Sequence, residues 1–140
     1  MPKAVITPPT ETPRPDRVIL VVEDEAMIRW PIAESLRDEG FTVVEAGDAD
    51  EALHYIKTNI VDFVFTDVRM PGSMNGLTFA RIVRRDYPGV PLLVTSGHLV
   101  RWDVEPDIKL VVKPYKQAEI LGIIVAAIGS GRADGDGEVK

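Results

Sequence analysis

The ten residues FVFTDVRMPG, at positions 63–72, decide how this chain is read. Phe63, Val64 and Phe65 leave no polar face for solvent. Runs apolar on both faces belong to parallel strands covered by helices on each side. The run then stops at Asp67. In an open parallel sheet, ligands bind outside the carboxyl ends of the strands, near the point where strand order reverses. A carboxylate there is either the N-cap of the next helix or part of a site. The rest of the chain decides between the two.

Working outward, Val18–Val22, Leu92–Val94 and Leu110–Val112 are further apolar runs, and Thr42–Ala46 is a more mixed one. Segments with helical spacing stand between them. Residues 26–38 carry Met27, Ile28, Ile32 and Leu36; residues 49–58 carry Ala49, Ala52, Leu53 and Ile56. Residues 76–86 carry Leu77, Ala80, Ile82 and Val83; residues 116–128 carry Ile120, Leu121, Ile124, Val125 and Ile128. Asp48 reads as an N-cap, with Glu51 completing a capping box. Gly40 reads as the glycine that closes the first helix. This alternation predicts an α/β domain with a doubly wound five-stranded parallel sheet and helices on both faces. Pro31 interrupts the first helical pattern, so that helix is expected to start late or to kink near Met27. Residues 97–108 contain Gly97 and Pro106, which predicts a fourth helix that is short or irregular.

Residues 1–16 hold five prolines and little to bury, and read as a disordered lead. Residues 129–140 are glycine-rich and acidic and read as a flexible acidic tail. The folded domain is then expected over 17–128, with too few residues after it for a DNA-binding domain. The net charge is −6, which offers no electrostatic footprint for nucleic acid or anionic lipid. There is no cysteine, so disulfides and thiolate metal sites are excluded. No apolar run approaches the roughly 20 residues of a membrane helix, and residues 1–16 lack a signal-peptide core. A cytoplasmic location is expected.

The polar strand ends share one edge. The first strand stops at Glu23-Asp24, the third at Asp67, the fourth at Thr95-Ser96 and the fifth at Lys113-Pro114. Crowded carboxylates repel unless a cation joins them. Oxygen ligands without His or Cys select a hard cation, and Mg²⁺ fits because it accepts one or two carboxylates and keeps several waters. Phosphoryl transfer needs positioning and charge neutralisation more than covalent help. On that chemistry Asp67 is the nucleophile, Lys113 a point charge for phosphate oxygen, and Thr95 a hydroxyl donor.

VILVVEDE (18–25), FVFTDVRMPG (63–72), LLVTSG (92–97) and LVVKPY (110–115) resemble, in the same order, the response-regulator receiver domain of two-component signalling. The resemblance covers about residues 17–128. It implies the flavodoxin-like strand order 2-1-3-4-5. It implies that Asp67 is the phosphorylation site, and that Asp24 binds Mg²⁺ directly while Glu23 acts partly through water. Arg69 would offer its backbone carbonyl to the metal, Thr95 would be the switch hydroxyl, and the Lys113–Pro114 peptide would be cis. It implies a sensor histidine kinase or histidine phosphotransfer protein as donor, an unknown downstream protein, and a monomer or weak phosphorylation-dependent dimer. Departures from the pattern are Leu110 where an aromatic residue is usual, a short 95–113 segment, and a loop after Asp67 one residue longer than usual. With Thr-Ser-Gly at 95–97 they are similar to a variant group often found as stand-alone proteins in alphaproteobacteria.

Two competing readings are an inert receiver-like binding module and a phosphatase of the haloacid-dehalogenase type. The second needs an aspartate two positions after the nucleophile, where Arg69 stands. The expected role is therefore a phosphoacceptor regulator and not an enzyme. His54 and His98 read as surface histidines, Ser96 equally as a neighbour or a member of the site, and Trp30, Trp102 and Tyr115 as half-buried packing.

Overall fold

The structure is a computed structural model and describes residues 17–70, 72, 74–97 and 108–129. The expected lead, nearly all of the expected tail, the fourth-helix segment, His98 and Trp102 lie outside the described residues. In chain order the elements are β1 (Val18–Val22), α1 (Ala26–Asp38), β2 (Thr42–Ala46), α2 (Ala49–Thr58), β3 (Phe63–Asp67), α3 (Gly76–Asp86), β4 (Leu92–Ser96), β5 (Lys109–Val112) and α4 (Gln117–Ile128). The five strands form one parallel sheet in the order β2-β1-β3-β4-β5.

The sheet separates inner strands from edges, and a wholly apolar run does not by itself mark an inner strand, since Leu110–Val112 lies in the edge strand β5. β3 and β4 are buried at every residue, and β1 at all but its first. These are the inner strands, covered on both faces. The mixed run Thr42–Ala46 is an edge strand, as is β5, and both are partly exposed. Side chains alternate between faces along each strand. Leu20, Val22, Val64 and Val94 meet α2 and α3 through Ala52, Ile56, Phe79 and Val83. Ile19, Val21, Phe65 and Leu93 meet α1 and α4 through Ile32, Leu36, Ile120 and Ile124. Leu110 is half-buried and packs against the first of these two cores.

Helix ends follow local chemistry. After α1, Gly40 takes φ 99°. Its N–H reaches the Arg37 carbonyl at 2.9 Å, and the Phe41 N–H reaches the Leu36 carbonyl at 3.2 Å, the paired bonds of a Schellman stop. Asp48 caps α2 by accepting from the Glu51 N–H at 2.8 Å. The Glu51 carboxylate returns to the N–H of Gly47, not to that of Asp48, so the capping box closes one residue early.

One of the two alternatives for α1 falls away, and three side chains lie further out than expected. α1 begins at Ala26 with Pro31 inside it, so the helix does not start late. Pro31 withholds one N–H from the Met27 carbonyl. Met27 is 89% exposed, where water can serve that group. Met27 is also not core: Leu36 follows about two and a half turns later and faces the sheet, which leaves Met27 on the opposite side. Trp30 is 61% exposed, not half-buried, because Ile32, Ala33 and Leu36 occupy the inward stripe. Val125 of α4 is likewise largely outside the core, which is filled by Ile120 and Ile124.

An ionic cluster ties α1 to β2. Glu45 accepts from Arg29 Nε at 3.0 Å and from Arg37 Nη1 at 3.0 Å. Burial pushes the Glu45 carboxyl up, but the two arginine hydrogen bonds and charges outweigh it and hold the group below its ordinary range. A depressed carboxyl stabilises the fold fully above the range where an unfolded glutamate titrates, and that contribution is lost as pH falls through the lower, folded value. Glu45→Gln is therefore expected to cost about 1 kcal/mol at neutral pH. The gap to the unaltered chain should close as pH falls, read by urea unfolding over a pH series.

Candidate functional site

The carboxyl ends of the inner strands and of β5 meet at one edge of the sheet. The Glu23 N–H continues the β1–β2 ladder by donating to the Ala46 carbonyl at 3.1 Å. Asp67 ends β3 and stands in register with Thr95 of β4. The Lys113 N–H donates to the Ser96 carbonyl at 2.7 Å, which places Lys113 just past β5. Glu23, Asp67, Thr95 and Ser96 are buried, whereas Asp24 is exposed.

Lys113 Nζ lies between two carboxylates. It donates to Glu23 Oε1 at 3.2 Å and to Asp67 Oδ2 at 3.0 Å. The other Glu23 oxygen accepts from the Glu25 N–H at 3.1 Å. Burial pushes the Glu23 carboxyl up, the Glu25 N–H opposes this, the Asp67 charge adds to it, and Lys113 opposes it again; the net effect is upward. Burial pulls the Lys113 ammonium down, but the Asp67 hydrogen bond and the two negative charges prevail and raise it. Lys113 is thus held as a cation. Tyr115 stands edge-on to Phe65, with ring centroids 5.8 Å apart. Burial pushes its hydroxyl up. The Lys113–Pro114 peptide is cis.

Glu23, Asp24 and Asp67 each offer a carboxylate oxygen, and the three oxygens lie within 4.8 Å of one another. The chain has no cysteine, and no histidine among the described residues joins the group. An all-oxygen, charge-dense set of this kind fits a hard divalent cation. Asp24 and Arg69 line one open cleft of about 570 Å³. A second groove of about 520 Å³ runs beside Lys113, between Met27 and Pro31 of α1 and Pro114 and Tyr115 of the following turn.

The sequence profile of the response regulator receiver domain matches residues 19–124. The chain belongs to the response regulator receiver family. This receiver is 40% identical over 116 residues to the alkaline phosphatase synthesis transcriptional regulatory protein SphR of Synechococcus elongatus, covering 76% of this chain and 42% of SphR. It is 40% identical over 81 residues to the nitrogen assimilation regulatory protein NtrX of Azorhizobium caulinodans, covering 57% of this chain and 18% of NtrX. The chain thus spans less than half the length of these two relatives. The response regulator TrrA of Thermotoga maritima, crystallised in complex with Mg²⁺ and BeF, superposes with a TM-score of 0.74 at 28% identity, over 80% of this chain and 99% of that one. No helix among the described residues of the receiver is long and apolar enough to cross a membrane.

Two residues at the receiver's site were not legible as site residues. Thr66 Oγ1, buried, donates to the Asp67 carbonyl at 3.0 Å. Gly76, the first residue of α3, sits against the same carbonyl. A Cβ there would overlap the Asp67 carbonyl oxygen and lie 2.7 Å from its carbon and 3.0 Å from Thr66 Oγ1. The Gly76 N–H donates to the Val68 carbonyl at 2.8 Å. The loop that leaves Asp67 thus returns to lean on it. Asn-Gly at 75–76 is a turn signal, but nothing in it says what the glycine touches. At a helix start, Ala ordinarily matches or betters Gly by up to about 1 kcal/mol. Gly76→Ala is instead expected to destabilise the receiver by about 2 kcal/mol. Urea unfolding tests this, and unchanged or higher stability would refute the steric account.

Proposed function

We propose that Asp67 accepts a phosphoryl group from a phosphohistidine on a sensor histidine kinase or a histidine phosphotransfer protein. The observation that carries the reading is the position of Lys113 Nζ, 3.0 Å from Asp67 and 3.2 Å from Glu23, in a pocket where three carboxylate oxygens converge. An Asp67 carboxylate oxygen forms the new O–P bond while the donor's N–P bond breaks, and the electron pair of that bond stays on the donor imidazole. Glu23, Asp24, Asp67 and the Arg69 backbone carbonyl are the residues that would hold Mg²⁺. When bound, the ion neutralises charge on the phosphoryl oxygens. Lys113 pairs with one of those oxygens, and the Thr95 hydroxyl, beside Asp67 in register, donates to another.

The complete pocket supports an acceptor over an inert binding module. Arg69, exposed at the second position after Asp67, supplies no carboxylic acid to protonate a leaving group, which supports an acceptor over a phosphatase. Phosphorylation adds about −1.5 to −2 charge at neutral pH. That charge would draw Lys113 and Thr95 toward the phosphoryl group and away from their resting contacts. The groove beside Lys113 carries exposed Met27 on one wall and half-buried Tyr115 on the other, which supports protein contact as the output. Incubation with acetyl phosphate and MgCl₂, followed by intact-mass measurement, is expected to show one phosphoryl adduct on the unaltered chain and none on Asp67→Asn. Equal labelling of the two would refute the assignment of Asp67.

A further inference from the structure

Arg29 takes no part in the reading above, yet it grips the site from behind. It sits on α1, one turn past the Glu23–Asp24 hand-off. Its Nη1 donates to the main-chain carbonyl of Glu23 at 2.7 Å. Its Nε donates to Glu45 of β2 at 3.0 Å. Glu45 is held in turn by Arg37 Nη1 at 3.0 Å, and Arg37 Nη2 is anchored on the Val43 carbonyl at 3.0 Å. A guanidinium bonded at two edges is fixed in its plane, in a way a lysine ammonium is not.

The acceptor of the first bond matters. The Glu23 carbonyl belongs to the peptide that joins Glu23 to Asp24. The Glu23 N–H is already fixed on Ala46, and the Glu23 carboxylate on Lys113 and the Glu25 N–H. With its carbonyl also held by Arg29, Glu23 is anchored through the peptides on both sides of its Cα, which restricts rotation of the Glu23–Asp24 peptide. Asp24 is exposed, so packing does not fix its direction. Its carboxylate oxygen nevertheless lies within 4.8 Å of those of Glu23 and Asp67.

We infer that Arg29 is a positioning residue for the cation site, acting through the Glu23 carbonyl to aim Asp24. The inference rests on the Mg²⁺ reading above. It makes a prediction whose sign separates it from simple electrostatics. Removing a positive charge near a cation site should tighten cation binding by Coulomb's law. Losing a positioning contact should weaken it, and support residues behind a metal ligand are typically worth about 10–100-fold in affinity.

The experiment is calorimetric titration of the full chain with MgCl₂ at fixed ionic strength, with thermal unfolding in EDTA run alongside. Arg29→Met keeps the aliphatic stem and is expected to raise the Mg²⁺ dissociation constant about tenfold. Arg37→Met removes the same charge and also breaks a bond to Glu45, but leaves the Glu23 carbonyl held. It is expected to bind Mg²⁺ as tightly as the unaltered chain, or slightly tighter, at a similar loss of thermal stability. Should Arg29→Met not fold, Arg29→Gln carries the same expectation. An arginine-29 variant that binds Mg²⁺ as well as the unaltered chain would overturn the inference. So would an equal weakening in Arg37→Met, which marks general loosening. An unaltered chain that takes up no Mg²⁺ overturns the cation reading itself, and with it this inference.

Discussion

Two buried carboxylates a few ångströms apart are the constraint on which the rest of this receiver turns. Glu23 and Asp67 offer oxygens within 4.8 Å of each other at the carboxyl edge of the sheet. At an effective dielectric near 20, two unit charges about 5 Å apart repel by about 3 kcal/mol. A domain this size has a net stability of only about 5–15 kcal/mol. The pocket is therefore tolerable only with positive charge inside it. Lys113 supplies that charge at 3.0 and 3.2 Å, and its reach is possible because β5 ends one residue earlier, beside Ser96. Even so, Glu23 stays shifted upward, first because it is buried and then because of the Asp67 charge. Three carboxylates beside one ammonium make a cluster that could bind a metal ion.

That electrostatic demand sets a mechanical one. Charges this close must be held in place, and the structure holds each from its backbone. Asp67 is clamped from below by Thr66 Oγ1 and by α3, whose first residue has no Cβ to keep it away. Glu23 is tethered through its N–H, its carbonyl and its carboxylate, each by a different element. Asp24 and Arg69 are the exposed members, and both line the open cleft.

Much of this was legible in the residues. The apolar runs located all five strands, and the three runs that proved to be inner strands read as apolar without interruption. Polar residues following them gave Glu23, Asp24, Asp67, Thr95 and Lys113, which the fold brings to one edge. β3 and β4 are longer than their apolar runs: Asp67 and Ser96 lie inside them, because ladder hydrogen bonding continues past the last apolar side chain. The inward faces of the helices were harder. Phe79, fully buried on α3, was passed over in favour of Leu77 and Ile82, which are only half-buried. Met27 and Trp30 are hydrophobic at plausible spacing yet face outward. Apolar character alone does not say which side of a helix meets a sheet.

The sequence by itself determined the element order and the chemical inventory of the site. It could do so because strand burial and turn chemistry act over a few residues. Tertiary structure decided which of those groups touch. That Lys113 bridges Glu23 and Asp67 depends on the register of β5 on β4 and of β4 on β3. That Gly76 must lack a side chain depends on where α3 lands after its loop. That Arg29 reaches both Glu23 and Glu45 depends on how α1 lies across β1 and β2. Each is a contact between segments whose spacing along the chain carries no record of their distance in space. Only packing the helices onto a single twisted sheet sets those distances.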